Sequence, residues 1–355
     1  MFGTTKPNSI VGLDIEAGSV AATEVSVNGS SELGRTAIVP LDEGIVNEGE
    51  VQNPDALSDA LRSIFSKNKL GKSVRIGVAN QRVVVRTLRL PLIEDPDELD
   101  TAIRFQAQDH IPMPLDQAIL DHQVVSRQTG PEGNKEMDVV TVAARRDMVG
   151  VLLGSLRKAG LRPVGVDLSA FGMIRALSPG APPIAVAEEA PAQPTTLFCH
   201  LGDITNLAVA RGAQCLFTRI APFGLENVAT QIVEKTDLSP DDARESLLDV
   251  GLEDPLEDFE DREAATTARE ALTEGASKLV DELRVSLDFY GAQEGAAAIE
   301  RVVICGPGST ISGLPERIQT GLGLAIESMS PLALSHLNDE DAARLTVSYG
   351  LALEG

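Results

Sequence analysis

Apolar positions along the chain fall into two rhythms. In "SIVGLDIEAGSVAATEVSVNGSSELGRTAIVPL" (residues 9–41) they recur at the strand period, interrupted at Glu16-Ala17-Gly18-Ser19 and at Asn28-Gly29. This predicts strand, tight turn, strand, hairpin turn, strand. Far downstream, "TTLFCHLGDITNLAVARGAQCLFTRIAPFG" (195–224) repeats the order, with turns at Gly202-Asp203-Ile204-Thr205 and Arg211-Gly212. Two such meanders predict two related lobes that face each other.

Between the repeats the rhythm changes. "NPDALSDALRSIFSKNKL" keeps helical spacing behind an Asn-Pro-Asp cap, and strand-like "VRIGVA" follows. From residue 83 to 162 the pattern reads as a compact α/β unit inserted into the first lobe. Its parts are the strand "VVVRTLRLP", the helix "DPDELDTAIRFQAQDHI", "LDHQVVS", the strand "MDVVTVAA" and the helix "RRDMVGVLLGSLRKAG". The first lobe is then residues 1–82 and 163–185, followed by a Pro- and Ala-rich linker at 186–194. The second lobe takes 195–355, with an acidic helical part at about 233–299 that includes "ASKLVDELRVSLDFYGAQEG". Phe289 and Tyr290 of that helix are expected in the core, and Arg284 reaches either a ligand or a surface ion pair. A buried strand, "RVVICGPGS", enters the helix "GLPERIQTGLG".

Composition narrows the chemistry. A net charge of −23 excludes a nucleic-acid binder, which needs clustered Lys and Arg to replace counterions, and opposes docking on an anionic membrane. No apolar run approaches the roughly 20 residues of a membrane span. The four histidines (His110, His122, His200, His336) have no ligand spacing with cysteine, so a dedicated metal site is not expected. Cys199, Cys215 and Cys305 sit in apolar runs and read as reduced core residues. A cytoplasmic protein that meets the membrane only through a partner is expected.

One motif is a decoy. "SKNKLGKS" has Ser66 where a phosphate-binding loop needs its first glycine, and a strand follows it. The two meander turns and "CGPGS" carry more. Gly18 and Ser19, and Gly202 and Thr205, could aim N–H and O–H groups at phosphate oxygens. Gly306 and Gly308 would let backbone approach a flat polar ligand such as adenosine. Asp14 either caps its turn or holds Mg2+ through water. His200 is either a satisfied polar residue at a strand end or a catalytic base.

These turns, in this order and with an inserted unit, resemble the actin-like ATPase superfamily and, within it, the pilus-assembly PilM family, relatives of the division protein FtsA. "VGLDIEAGSVAATEV" and "LGDITNLAVARGAQCLFTRIAPFG" resemble the two phosphate loops, and "CGPGSTISGLPERIQTGLGLAIE" the adenosine loop. "RTLRLPLIEDPDELDTAIRFQAQDHIPMPLDQAILDHQVV" and "DELRVSLDFYGAQ" resemble the family's inserted subdomain and second-lobe helix. The resemblance implies an α/β, actin-like (ribonuclease H-like) two-lobed fold with duplicated mixed sheets and an inserted small α/β subdomain of FtsA type. It implies ATP with Mg2+ at Asp14, Gly18, Ser19, Gly202, Thr205, Asn206, Gly306, Gly308 and Ser309, which match the family.

It also implies a cytoplasmic scaffold of the type IV pilus machine, at the inner face of the membrane. There it would hold the N-terminal tail of PilN between the first lobe and the insert, near other inner-membrane platform proteins and the assembly ATPase. Leu88, Phe105 and Ile111 are candidate contacts for that tail, unless they fill the insert's own core. The sequence departs from the family at Glu16, where glycine is usual, at Ala17, which thins a Ser-rich loop, at Ala21, where a basic residue is usual, and at His200, where aspartate is frequent. A carboxylate at Glu16 would repel the β- and γ-phosphates. ATP is therefore expected to bind weakly or not at all, with negligible turnover. The alternatives are an active ATPase of the same fold and an FtsA-like division protein. The latter would carry a basic amphipathic anchor where this chain reads "SYGLALEG".

Overall fold

A computed structural model describes residues 8–26, 31–129, 133–178, 193–293 and 296–353. The expected Asn28-Gly29 turn, the end of the first lobe at 179–185 and the expected linker up to residue 192 lie outside them.

The first meander forms as predicted from β1 (Ser9–Ile15), β2 (Ser19–Ser26) and β3 (Glu32–Pro40), all antiparallel neighbours. A short ribbon of β4 (Val46–Asn47) and β5 (Glu50–Val51) leads to helix α1 (Pro54–Lys67). Asn53 caps α1 by accepting the Ala56 N–H at 3.1 Å. Leu57, Leu61, Ile64 and Phe65 form its buried face at helical spacing. β6 (Ser73–Val78) returns parallel to β1.

The insert has its own antiparallel sheet, in the order β7-β9-β8, from β7 (Val84–Pro91), β8 (Ala118–Thr129) and β9 (Lys135–Arg145). Helix α2 (Pro96–His110), capped by Asp95, covers it, and Leu88, Leu90, Leu99, Ile103, Met137 and Val139 make the interior. Helix α3 (Arg146–Lys158), assigned to the insert by its sequence position, packs on α1 and gives Leu156 to the first lobe's core. β10 (Arg162–Leu168) then pairs parallel to β6 and completes a sheet in the order β10-β6-β1-β2-β3. Helix α4 (Ser169–Leu177) follows.

The second half repeats that topology. β11 (Thr195–Leu201), β12 (Thr205–Arg211) and β13 (Gln214–Ala221) form the antiparallel meander. Three helices come next: α5 (Leu225–Lys235), α6 (Pro240–Val250) and the long α7 (Arg262–Gly291). β14 (Arg301–Cys305), α8 (Leu314–Leu322) and β15 (Ile326–Ser328) complete a sheet in the order β13-β12-β11-β14-β15. Each sheet thus has three antiparallel strands continued by two parallel ones, with the same connectivity. The chain ends in α9 (Asp339–Arg344) and α10 (Thr346–Ala352).

α10 turns back onto the first sheet, where Ser348 and Thr23 share a 2.7 Å hydrogen bond. With α4 it forms the apolar layer between the sheets, joining Met173, Ile174, Val347 and Leu351 to Phe198 and Val303. The three cysteines are free and buried, and burial pushes the Cys215 thiol up to about 12. Tyr290 is buried and its hydroxyl accepts the Ala297 N–H at 3.1 Å, as a core tyrosine should. Phe289 corrects the expectation of a core residue. It is 51% exposed on α7, with its ring 5.9 Å from Phe217 and under the Arg219 guanidinium. Arg284 donates from Nε to the Gly321 carbonyl at 3.1 Å and pairs with Asp281, so it serves the surface. Among the described residues no helix is long and apolar enough to cross a membrane.

Candidate functional site

The two meander turns meet head to head. β1 carries Asp14 to its buried end, where Oδ1 accepts the Ser169 hydroxyl of α4 at 3.2 Å. The first turn closes through the Glu16 N–H to the Ser19 carbonyl at 2.9 Å. Across the cleft, the Gly18 N–H donates to Asp203 Oδ2 at 2.9 Å, and the Asp203 N–H donates to Glu16 Oε1 at 3.3 Å. Each turn therefore offers a backbone donor to a carboxylate of the other. Of the donors that the sequence assigned to phosphate, the Gly18 N–H already holds a carboxyl group of the chain itself.

Glycine makes room for this. A Cβ at Gly202 would lie 2.1 Å from Glu16 Oε1, and one at Gly306 would lie 2.7 Å from the His200 ring. The Gly306 φ of 81° also needs glycine. So Gly202 admits the Glu16 side chain and Gly306 admits His200, while Gly308 lies against Leu201 and Gly18 under the Arg244 guanidinium. The hydroxyls are used locally as well: Thr205 donates to the Phe223 carbonyl at 2.7 Å and Ser309 to the Gly306 carbonyl at 2.7 Å. The space beside Gly202, Thr205 and Leu314 is about 10 Å³, enough for about one water.

Burial dominates the electrostatics. It raises the Asp14 carboxyl to about 6, with a further push from Asp203 and an opposing hydrogen bond from Ser169. Burial, then the charges of Asp203 and Asp14, hold Glu16 well above the usual carboxylate range. Asp203 is raised too, by burial and by Glu226. Desolvation lowers His200 to about 4, so the imidazole is neutral at pH 7 and its 3.9 Å approach to Glu16 is not an ion pair.

Two arginines flank the acids. Arg244 of α6 is held by both oxygens of Glu226, at 2.8 and 2.7 Å, and by Asp241. Arg344 of α9 acts on Glu16 from farther away and pairs with Glu340 at 2.8 Å. Ala21, where the family usually has a basic residue, is buried against Leu334, Ala342 and Leu345. Between the lobes lies a cavity of about 150 Å³, lined in part by Asp14, Glu16, His200, Asp203 and Asn206. It is smaller than the roughly 300–1,000 Å³ of typical small-molecule sites. Asn206 pairs in register with His200, is 3% exposed, and its buried Oδ1 has no hydrogen-bond partner.

Asp14, Gly18, Gly202 and Asn206 thus converge as the sequence suggested, but with different partners. Asp203, Ser169, Glu226 and Arg244 were missed. Only the Asp203 position in the second turn gave a signal, because the others arrive from helices distant in sequence. The proposed peptide contacts separate. Leu88 and Ile111 are corrections: both are buried, Leu88 against Ile103 and Met137 and Ile111 against Ala107 and Ala143, in the insert's own interior. Phe105, 68% exposed on α2, is open to a partner.

A family model described as type IV pilus assembly protein PilM matches residues 12–355. The solved PilM-PilN type IV pilus biogenesis complex contains a chain 25% identical to this one over 98% of each, with a TM-score of 0.80. MreB5 of Spiroplasma citri, in a crystal structure bound to ADP, is 12% identical over 98% of this chain and 95% of that one, with a TM-score of 0.55. Ethanolamine utilization protein EutJ from Carboxydothermus hydrogenoformans is 13% identical over 99% and 92%, with a TM-score of 0.54. At such identities the last two share the fold alone, which is the actin-like two-lobed fold.

Proposed function

Because the chain belongs to the family of type IV pilus assembly protein PilM, we propose that it is a cytoplasmic actin-like scaffold. It binds the N-terminal cytoplasmic tail of PilN and is recruited by it to the inner face of the membrane. The observation that carries this reading is the match over residues 12–355, together with coverage of 98% of each chain in the likeness to the PilM-PilN complex. The net charge of −23 suits a tail bearing Lys or Arg, since complementary charge speeds and orients docking. Phe105 is the candidate apolar contact on the insert, and other platform proteins and the assembly ATPase are further partners on this reading.

The same proposal covers the nucleotide site, whose architecture the fold shares with a relative crystallised with ADP. Mg-ATP does not fit the turns as they stand here. Its phosphates would have to displace the Asp203 carboxylate from the Gly18 N–H and Glu16 from the Asp203 N–H, beside a third buried carboxylate, Asp14. In-line phosphoryl transfer needs available positive charge, whereas Arg244 is paired with Glu226 and Asp241 and Arg344 with Glu340. ATP is bound weakly or not at all, turnover is negligible, and the protein works as a scaffold.

The test is a fluorescence-anisotropy titration of the full chain against the N-terminal peptide of the PilN from the same organism. Saturable binding is expected, weakened about tenfold or more by Phe105→Asp at unchanged melting temperature. Absence of saturation up to about 1 mM, an affinity worth only about 4 kcal/mol, would overturn the reading.

A further inference from the structure

We propose that Asp14, Glu16 and His200, completed by Asn206, form a binding site for one divalent first-row transition-metal ion, for which Zn2+ is the probe, where the two turns meet. The site goes beyond the scaffold reading and does not depend on it. One ligand atom from each of the first three residues lies within 4.8 Å of the others. His200 Nδ1 and Glu16 Oε1 stand 3.9 Å apart, too far for a hydrogen bond. Bonds of about 2.0–2.2 Å to a shared ion would span that gap.

The independent observation is Asn206. Its carboxamide lines the same cavity, is buried, and its Oδ1 accepts nothing, although buried polar atoms are almost always satisfied. An oxygen of that kind, on a residue lining the cavity that Asp14, Glu16 and His200 also line, is available to a cation. The supporting contacts are those of an oriented ligand set: the Ser169 hydroxyl fixes Asp14, and the Asp203 N–H fixes Glu16. Gly202 and Gly306 let Glu16 and His200 reach the centre. The cavity of about 150 Å³ takes an ion with a few waters, at about 30 Å³ each.

The imidazole selects among ions. Mg2+ keeps an octahedral shell of oxygens and waters, whereas one nitrogen with carboxylate and amide oxygens suits Zn2+, Mn2+ or Fe2+. Two ligands come from the first lobe and two from the second, so the ion would join the lobes.

The experiment uses the full chain, stripped with chelator and dialysed, and titrated with Zn2+ against a chromophoric chelator. One ion per chain is expected, unaffected by a large excess of Mg2+, with a rise in melting temperature. Glu16→Gln and His200→Gln should each weaken binding about tenfold or more. His122→Gln, on the outer strand β8, should leave binding unchanged. Melting in the presence of chelator shows whether each variant folds. Should either fail to fold, the visible absorption of Co2+ bound to the wild-type chain decides, since a site with imidazole and carboxylate ligands gives a distinct spectrum. The proposal is overturned by no site tighter than about 100 µM, by binding unaffected in both folded variants, by displacement of Zn2+ by Mg2+, or by no Co2+ spectrum.

Discussion

The position of the Glu16 carboxylate can be tested through Gly202. A methyl group there would stand 2.1 Å from Glu16 Oε1, 2.9 Å from Glu16 Cδ and 2.7 Å from His200 Cε1. Backbone relief is limited, because the Gly202 carbonyl accepts the Leu225 N–H at 2.9 Å and the next N–H is bonded to Glu16. The side chain of Glu16 must therefore move, which breaks the bond from Asp203. Overpacking of this kind costs about 1–3 kcal/mol, and the lost hydrogen bond adds about 1 kcal/mol. Gly202→Ala should accordingly destabilise the protein by about 2–4 kcal/mol. In a Glu16→Ala background only the His200 contact remains, and the same change should cost about 1–2 kcal/mol less. Urea unfolding of the four proteins of this cycle, in chelator at neutral pH, measures the difference. Additivity within about 0.5 kcal/mol would mean that Glu16 does not lie against Gly202, and the account of interlocked turns would fail.

Acid dependence follows from Asp14. Its carboxyl sits at about 6 when folded against 3.8 when free, so the native state binds the extra proton and metal-free stability falls as pH rises from about 4 through 6. The loss is about 3 kcal/mol, and urea melts of Asp14→Asn should show the variant ahead of wild type by up to that amount at pH 8 and level with it near pH 4. Leu88→Ala should cost about 2–4 kcal/mol by opening the insert's core. Phe105→Asp should change denaturant stability by less than about 0.5 kcal/mol; the reverse order would place Leu88 at a partner surface. Calorimetry with about 1 mM Mg-ATP should give no saturable heat for wild type. Glu16→Gly, which frees the Asp203 N–H, should bring binding into range, and tight binding by wild type would refute the blocked site.

The repeat was legible because a strand's period and its turn residues are local properties. Both meanders, the helix behind the Asn53 cap and the helix that follows Asp95 stand where the pattern put them. What pattern could not tell is which surface an apolar face meets. Leu88, Ile111 and Phe105 belong to equally apolar stretches, yet two are interior and one is open, since α2 offers only one face to the sheet. The docking of α10 depends on a contact such as Thr23 with Ser348, 325 residues away, for which no local signal exists. The glycines of the "CGPGS" turn were found, but the neighbours they make room for, His200 and Leu201, come from β11, which no local pattern shows.

Glu16 resolves on the same terms. As an isolated letter in a phosphate-type turn it signals repulsion. In the folded chain it is an acceptor supplied from within, taking the N–H of the opposite turn while Asp203 accepts the N–H of its own. Two hydrogen bonds to carboxyl groups, each worth about 1 kcal/mol, span the cleft. The apolar layer of α4 and α10 lies between the two sheets beside them. These contacts join the two lobes from within the chain. The same exchange explains the glycines at positions 18 and 202. One leaves space for Arg244 and the other for Glu16, and a side chain at either would displace the neighbour it meets.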